Sequence, residues 1–292
     1  MDKSEHMLHC MEIVGDNRAG RRTVVAPGLD IWIDSRPLGR GGGGGDVHYI
    51  STCGGGYVTR LALADVAGHG ASANGFAIIL RKLMRKYINT LNQTRFAAAL
   101  NRELTAGPKS GPFATAVLVT YFAPTRHLII CNAGHGRPLR YSARTGKWGY
   151  LDLNSAGACP SLKASRARYH LERLANLPLG VLEPIEYQQF AVEFDEEDLL
   201  LLCTDGITES ADEAGHMLAE AGLLALANQL GRHDVARFGE RLLDAIDLRR
   251  GRAAGADDQT LILIKHNQTQ IPRPSLIRTA RTLVKLIGLS RV

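Results

Sequence analysis

The sequence has few of the features that mark secreted, membrane-spanning or disulfide-rich proteins. Its apolar runs fall well short of the roughly 20 residues of a membrane-spanning helix. The opening MDKSEHMLHC has neither the basic flank nor the apolar stretch of a secretory signal. The five cysteines form no CxxC pair, and two of them end the apolar runs LIIC and LLLLC. Such cysteines are typical of reduced, buried thiols, and we expect a cytoplasmic protein.

Charge and hydrophobic content indicate a globular chain that does not bind nucleic acid. The 292 residues are 45% hydrophobic, which is enough for a substantial core. The net charge is +6, but the basic residues are scattered over most of the chain, and only the C-terminal end is one-sided. We therefore expect no nucleic-acid partner.

The order of the predicted elements favours an α+β fold. Apolar residues at three- and four-residue spacing predict helices, and alternating or continuous apolar runs predict strands. Strands and helices follow one another in blocks, without regular βαβ alternation, which favours antiparallel sheet. The predicted strands are 57–64, 113–122, 127–134, 138–153, 186–194, 198–206 and 255–265, and the predicted helices are 74–89, 93–104, 214–230 and 234–249.

Aspartates lie at glycine-containing or polar turns at four places, each of which we interpret as the end of a strand. They lie in GGD (44–46), DVAGHG (65–70), TDG (204–206) and GADD (255–258). A single Asp-Gly is typical of a tight turn. Four such acids on neighbouring strands, however, would raise one another's pKa unless cations neutralised them. Oxygen ligands of this kind suit Mg²⁺ or Mn²⁺ rather than zinc.

The motifs GGD, DVAGHG, NAGH, LPLG, TDGITES and DDQT occur in this order over residues 44–260. In this series the chain resembles the type 2C metal-dependent serine/threonine protein phosphatases (PPM family), in the bacterial branch of SpoIIE and RsbU. The resemblance implies an αββα sandwich, in which helices flank two packed antiparallel sheets. It also implies two or three Mn²⁺ or Mg²⁺ ions at one edge of the sandwich.

The resemblance also implies a role for individual residues of this chain. Asp65 would bridge both metals and is the main candidate catalytic residue, and Val66 would offer its backbone carbonyl. Asp205 and Asp257 would hold one metal, while Asp46 would complete the site through metal-bound water. The residues expected to support the turns of the site are Gly44, Gly45, Gly68, Gly206 and Asp258.

Several neighbouring residues keep two interpretations. His69 would either donate a proton to the leaving serine or make a structural hydrogen bond in its glycine turn. Arg36 and Arg40 would either hold the substrate phosphate by bidentate bonds or be solvated loop residues. His135 of NAGH is expected to fix the turn between two strands. Tyr49 stands where many relatives have a second acid three residues after the GGD aspartate.

We expect three parts along the chain. Residues 1–39 form an N-terminal extension, 40–268 the catalytic domain, with a surface insertion at 154–177, and 269–292 a basic amphipathic tail. No acidic residue occurs from 265 onward, and the apolar residues from Leu276 to Ile287 repeat at helical spacing. Through 273–292 the tail would lie peripherally on an anionic membrane, contact another protein, or pack on its own domain.

These observations predict a protein phosphatase that hydrolyses phosphoserine or phosphothreonine by attack of a water that bridges two divalent metals. The resemblance suggests a phosphorylated anti-sigma-factor antagonist as substrate, in bacterial partner-switching signalling. One alternative is a catalytically weak, phosphatase-like scaffold that binds a phosphoprotein regulator. A second alternative is a phosphoesterase for small molecules.

Overall fold

The computed structural model describes most of the chain. The described residues are 6–10, 12–38, 43–68, 70–107, 111–154, 176–231, 234–251, 257–267, 269, 271 and 275–288. Almost all of the predicted insertion at 154–177 lies outside these ranges.

Two mainly antiparallel sheets form the centre of the fold. The seven-stranded sheet has the order β1 (His6–Met7), β3 (Gly20–Ala26), β4 (Leu29–Arg36), β13 (Gln259–His266), β12 (Leu199–Cys203), β9 (Leu139–Ser142), β10 (Lys147–Tyr150). The six-stranded sheet has the order β11 (Gln189–Glu193), β8 (His127–Ala133), β7 (Ala114–Phe122), β6 (Val58–Val66), β5 (Val47–Cys53), β2 (Ile13–Val14). The β1–β3 pair is parallel, and the other paired strands are antiparallel.

Helices cover the outer face of each sheet. Helices α1 (Gly70–Lys86) and α2 (Gln93–Thr105) pack on the six-stranded sheet. The short α3 (Asp205–Thr208) and the longer α4 (Ala219–Leu230) and α5 (Val235–Arg250) lie on the seven-stranded sheet. The last helix is α6 (Leu276–Leu286). In the part of the chain described here, no helix is long and apolar enough to cross a bilayer.

The alternation of side chains along each strand builds the layers. On β6, Leu61 and Leu63 face the other sheet, whereas Ala62 and Ala64 pack among residues of α1 and α2. The first set joins the core between the sheets, and the second joins the core beneath the helices. Both sets are buried, so the predicted αββα sandwich is confirmed.

The structure departs from the predicted elements at several places, including Val47–Cys53, which forms β5 although no strand is predicted there. Residues 20–36, which fall in the predicted N-terminal extension, form β3 and β4, and β4 pairs with β13 along its whole length. The helix predicted from 214 begins only at Ala219, because Asp212 accepts hydrogen bonds from the amides of Ala214 and His216 and so forms a turn. The start predicted for this helix was therefore wrong.

A close contact between α5 and β4 gives a test of this packing. A methyl group at Gly239 would collide with the ring of Trp32, which is buried in β4. We expect Gly239→Ala to lower the free energy of unfolding by about 1–3 kcal/mol, measured by urea denaturation. The control is Gly75→Ala in α1, where a methyl group meets nothing within 4 Å. Equal stability of the two variants would contradict this packing.

Candidate functional site

Four aspartates from both sheets meet at one edge of the sandwich. Asp65 lies near the end of β6, and the pairing of Val47 with Ala64 places Asp46 beside it. From the other sheet, Asp205 follows β12 and Asp257 precedes β13, and these two strands are paired. The acids that the sequence singles out are therefore brought together by the contact between the two sheets.

The pKa of Asp65 reflects both its burial and the acids around it. Burial, together with the negative charges of Asp205 and Asp257, raises the pKa of Asp65 to about 8. The Asp205 carboxyl group also lies within hydrogen-bonding reach of Asp65, which raises the pKa of Asp65 further. Among the described residues, no three His, Cys, Asp or Glu side chains form a ready-made metal site. The four acids lie near one another, and the carboxyl groups of Asp65 and Asp205 are within hydrogen-bonding reach.

Asp46 is a buried carboxyl group with one unused oxygen. Its Oδ2 accepts a hydrogen bond of 2.9 Å from the Thr204 hydroxyl. Its Oδ1 is buried and has no hydrogen-bond partner within the described part of the chain. Burial and the charge of Asp65 raise the pKa of Asp46 well above its ordinary value. A buried oxygen without a partner is costly, and a cation or an ordered water would satisfy it.

Asp258 fastens the two acidic loops together. Its carboxylate accepts hydrogen bonds of 2.5 Å from the amides of Leu38 and Gly45. A Cβ at Gly44 would lie 2.5 Å from Asp258 Oδ2, and a Cβ at Gly206 would collide with the Asp258 carbonyl. Glycine at these positions lets three chain segments approach one another closely.

The predicted carbonyl ligand lies close to the same loop. A Cβ at Gly45 would stand 3.1 Å from the Val66 carbonyl oxygen, so this carbonyl is near the backbone that carries Asp46. Two residues later, Gly68 has a φ of 97°, and an added Cβ there would meet nothing within 4 Å. Glycine is therefore favoured at this position by the backbone conformation rather than by a lack of space. His69 and Arg40 lie outside the described residues.

Arg36 is placed near the site but is already engaged. Its Nε donates to Asp34 Oδ1 at 2.7 Å, and its Nη1 donates to Asp247 Oδ2 at 2.9 Å. Binding of a substrate phosphate by Arg36 would require the guanidinium to leave these carboxylates. Tyr49 packs in the core beneath α1 and donates a hydrogen bond to Ser51, so this position brings no acid to the cluster.

The NAGH turn contacts β7, the strand that pairs with β6 beside Asp65. Asn132 fixes the turn by accepting from the His135 amide at 2.7 Å and donating to the His135 carbonyl at 2.9 Å. The His135 ring Nδ1 lies 2.8 Å from the Thr115 hydroxyl, and Thr115 stands opposite Asp65 in the β6–β7 register. Burial lowers the pKa of His135 to about 4. His135 is therefore a neutral imidazole.

Two residues at the site were not found from the sequence. Thr204, in the TDG motif, holds Asp46 across the sheets, although the motif alone suggested only a turn. Arg137 pairs with Glu220 at 2.5 Å, and its guanidinium lies over the ring of Tyr150. Together with Asp205, these three residues line a small cavity of about 40 Å³. The signal for Arg137 is its place directly after the NAGH turn, two residues from His135.

Comparison with known proteins gives a consistent family. The family model for SpoIIE, stage II sporulation protein E, matches residues 55–156 and 149–267. The phosphoserine phosphatase RsbU of Bacillus subtilis is 23% identical over 159 residues, which cover 54% of this chain and 41% of RsbU. The phosphoserine phosphatase RsbP of the same organism is 22% identical over 209 residues, covering 70% of this chain and 45% of RsbP. The chain thus spans less than half the length of either relative.

Solved structures share the fold. The PP2C phosphatase domain of Bacillus subtilis SpoIIE, solved with a fragment of its regulatory domain, gives a TM-score of 0.66 at 16% identity, covering 83% of this chain and 63% of that one. The catalytic domain of the serine/threonine protein phosphatase PstP, solved with two manganese ions, gives a TM-score of 0.50 at 18% identity, covering 81% of this chain and 97% of that one.

Because the Asp258 carboxylate accepts hydrogen bonds from two backbone amides, we expect its removal to lower the stability of the protein. In Asp258→Ala the amide of Gly45 would lose its buried acceptor, and we expect the free energy of unfolding to fall by about 1–3 kcal/mol. Urea denaturation in the presence of a chelator measures this. Asp244→Ala, which removes an exposed aspartate on α5, is the matched control and should change little. An Asp258→Ala protein as stable as the control would contradict the proposed contact.

The raised pKa of Asp65 predicts how the stability of the metal-free protein varies with pH. Between the unfolded pKa near 3.8 and the folded pKa of about 8, the folded state binds the extra proton, so its stability falls as pH rises. Asp65→Asn removes this titration. We expect the variant to gain stability relative to wild type on going from pH 5 to pH 8, with each unit of pKa difference equivalent to about 1.4 kcal/mol.

The measurement is urea denaturation with chelator at the two pH values, with Asp244→Asn as the control. A difference between Asp65→Asn and wild type that stays constant with pH would show that the pKa of Asp65 is not raised in the folded protein.

Proposed function

Because the chain belongs to the SpoIIE family, we propose that it is a metal-dependent protein phosphatase that hydrolyses phosphoserine or phosphothreonine. The observation that carries this proposal is the cluster of four carboxyl groups, of which Asp46 is buried, at the edge where the two sheets meet. The raised pKa values of Asp46 and Asp65 indicate a place where cations are needed to balance negative charge.

The donors at this edge fit two divalent cations, Mn²⁺ or Mg²⁺. We propose that Asp65, Asp205, Asp257 and the Val66 carbonyl hold them, with Asp46 beside them. All of these donors are oxygens, which such ions prefer, and Asp46 Oδ1 is a buried oxygen without a partner in the described residues. The solved PstP domain contains two manganese ions, which supports this choice. Such ions, when bound, supply activated water and neutralise charge on the phosphate.

The protein's own residues would prepare the site in three ways. Thr204 holds Oδ2 of Asp46 and leaves Oδ1 available. The Asp258 carboxylate accepts hydrogen bonds from two backbone amides, so Asp258 is a positioning residue rather than a ligand. The proton that the raised pKa places on Asp65 would leave when cations bind, since Asp65 is then needed in charged form. His69 as proton donor and Arg40 as phosphate ligand stay predictions.

The substrate we propose is a phosphorylated protein in bacterial signalling, such as an anti-sigma-factor antagonist. RsbU and RsbP are both named phosphoserine phosphatases, which supports phosphoserine as the target. We also propose a cytoplasmic location. The competing proposal is a scaffold that binds a phosphoprotein without turnover, and it is favoured by Tyr49, which places an apolar-packed ring where many relatives have an acid.

The central experiment measures release of phosphate from a phosphoserine protein with and without Mn²⁺. We expect activity in wild type only with the metal, and a loss of more than about 100-fold in Asp65→Ala, because removal of a ligand should cost more than loss of an outer contact. Asp244→Ala controls for loss of an aspartate elsewhere. Mn²⁺ should also raise the melting temperature of wild type, and much less that of Asp65→Ala.

Other outcomes would contradict the two-metal proposal or favour one of the alternative functions. Hydrolysis that persists in chelator, or full activity in Asp65→Ala, would refute the two-metal proposal. A Mn²⁺-dependent rise in melting temperature without hydrolysis of any phosphate ester, including an aryl phosphate, would indicate the scaffold. Faster hydrolysis of nucleotides or sugar phosphates than of phosphoprotein would indicate a small-molecule phosphoesterase.

A further inference from the structure

The C-terminal helix α6 is held firmly on the body of the protein at both ends. At its start, the Ser275 amide donates a 2.8 Å hydrogen bond to the Tyr57 hydroxyl. At its end, the Leu286 carbonyl accepts from the side chains of Asn92 at 2.8 Å and Gln189 at 3.2 Å. The Leu286 side chain is fully buried in a small apolar cluster that includes Tyr57. The helix is therefore already formed and fixed.

The apolar stripe of α6 is not the side that packs on the body. Leu276 is 90% exposed and Ile277 is 68% exposed, whereas Leu286 is completely buried. Leu283 and Val284, one to two turns further along the helix, are also exposed. These four large apolar side chains, which we call the outer stripe, range from Leu276, which faces solvent, to Leu283 and Val284, which are 36% and 38% exposed. An apolar surface of this kind marks an interaction site.

A groove runs alongside the outer stripe. It has a volume of about 970 Å³ and lies between α6, the turn from β5 to β6, and the connection from α1 to α2. Its apolar walls include Val58, Leu91, Ile277, Ala280 and Val284. The exposed cations Arg281 and Lys285 line the same groove. An apolar strip bordered by cations is the pattern of a helix that lies in a membrane interface.

The charge of this end of the chain is of one sign. Residues 265–292 contain no Asp or Glu, and they include three arginines, at 273, 278 and 291, besides Arg281 and Lys285. A second copy of the chain would bring the same positive helix to the contact, and like charges facing each other oppose association. Anionic lipid complements both the cations and the outer stripe.

We propose that α6 docks the protein on anionic membrane surfaces through the outer stripe, with Arg281 and Lys285 at the lipid headgroups. Because the helix is already formed, binding does not require it to fold first. The helix contacts Tyr57 and Val58 at the start of β6, whereas Asp65 lies near the end of the same strand, roughly 23 Å further on at the rise of a β-strand. The acidic edge would thus face away from the membrane, toward soluble protein substrates.

The test uses the full chain and co-sedimentation with vesicles of phosphatidylcholine alone or mixed in equal parts with phosphatidylserine. Wild type should bind only the mixed vesicles. The double variants Leu276→Glu with Ile277→Glu, and Arg281→Glu with Lys285→Glu, should each lose at least about tenfold in binding. The first pair removes apolar contact with the lipid, and the second pair reverses charges that anionic headgroups attract.

Matched controls separate the helix from general surface effects. Leu248→Glu alters an apolar side chain that is 84% exposed on α5, and Arg144→Glu with Lys147→Glu reverses two exposed charges in the β9–β10 turn. Both controls should bind as wild type does. All variants should melt at the wild-type temperature, because the altered side chains lie at the surface.

Several results would overturn the proposal. They are no binding of wild type to the mixed vesicles, equal loss in the control variants, and unchanged binding in both α6 variants. Self-association in sedimentation velocity that Leu276→Glu with Ile277→Glu abolishes, without vesicle binding by wild type, would identify the outer stripe as a contact between copies. Vesicle binding is measured without metal or phosphate release, so its outcome is independent of the proposed phosphatase activity.

Discussion

Repulsion between clustered carboxyl groups is the constraint on which the rest of this site depends. Asp46 and Asp65 come from one sheet, and Asp205 and Asp257 come from the other. Asp46 is buried and Asp65 and Asp257 are half-buried, so water screens these charges less well than at the open surface. Burial first, and then the charges of neighbouring acids, raise the pKa values of Asp46 and Asp65.

Within the described residues, the hydrogen bonds noted above for Asp46 and Asp258 come from neutral donors. The Thr204 hydroxyl holds Asp46, and two backbone amides hold Asp258. Arg36 and Arg137, the nearby arginines described above, are paired with other carboxylates. Cations that bind here would displace the proton held by Asp65 and balance the remaining charge, which is the electrostatic character of a site for divalent cations.

Much of this arrangement follows from the sequence because its signals are local. Asp65 and Asp205 stand at the ends of apolar strands, and the glycine turns beside them are short motifs. Long-range pairings have no such signal. The role of β4 as a central strand depends on its pairing with β13, more than 200 residues later. The engagement of Arg36 with Asp247 and the bond between Thr204 and Asp46 likewise join residues far apart in the chain.

For α6, the sequence predicts the helix but not which of its sides contacts the rest of the protein. The spacing of Leu276, Leu283 and Val284 predicts an amphipathic helix, and a helix is present. Helical periodicity alone suggests that the apolar side faces the protein, because that is the usual arrangement in a globular domain. In this protein the contact is made instead by the buried Leu286 and by hydrogen bonds at the two helix ends.

The division of the acidic cluster between two sheets has a consequence for how such a protein varies over evolutionary time. The distances between Asp46 or Asp65 and Asp205 or Asp257 are set by how the two sheets are stacked. That stacking depends on the tightly packed side chains between them, such as Leu61, Ile262 and Val117. Changes of volume in this interior, made without altering any acid, shift one half of the cluster against the other. Affinity for ions can therefore drift through inherited substitutions that leave every acidic residue in place.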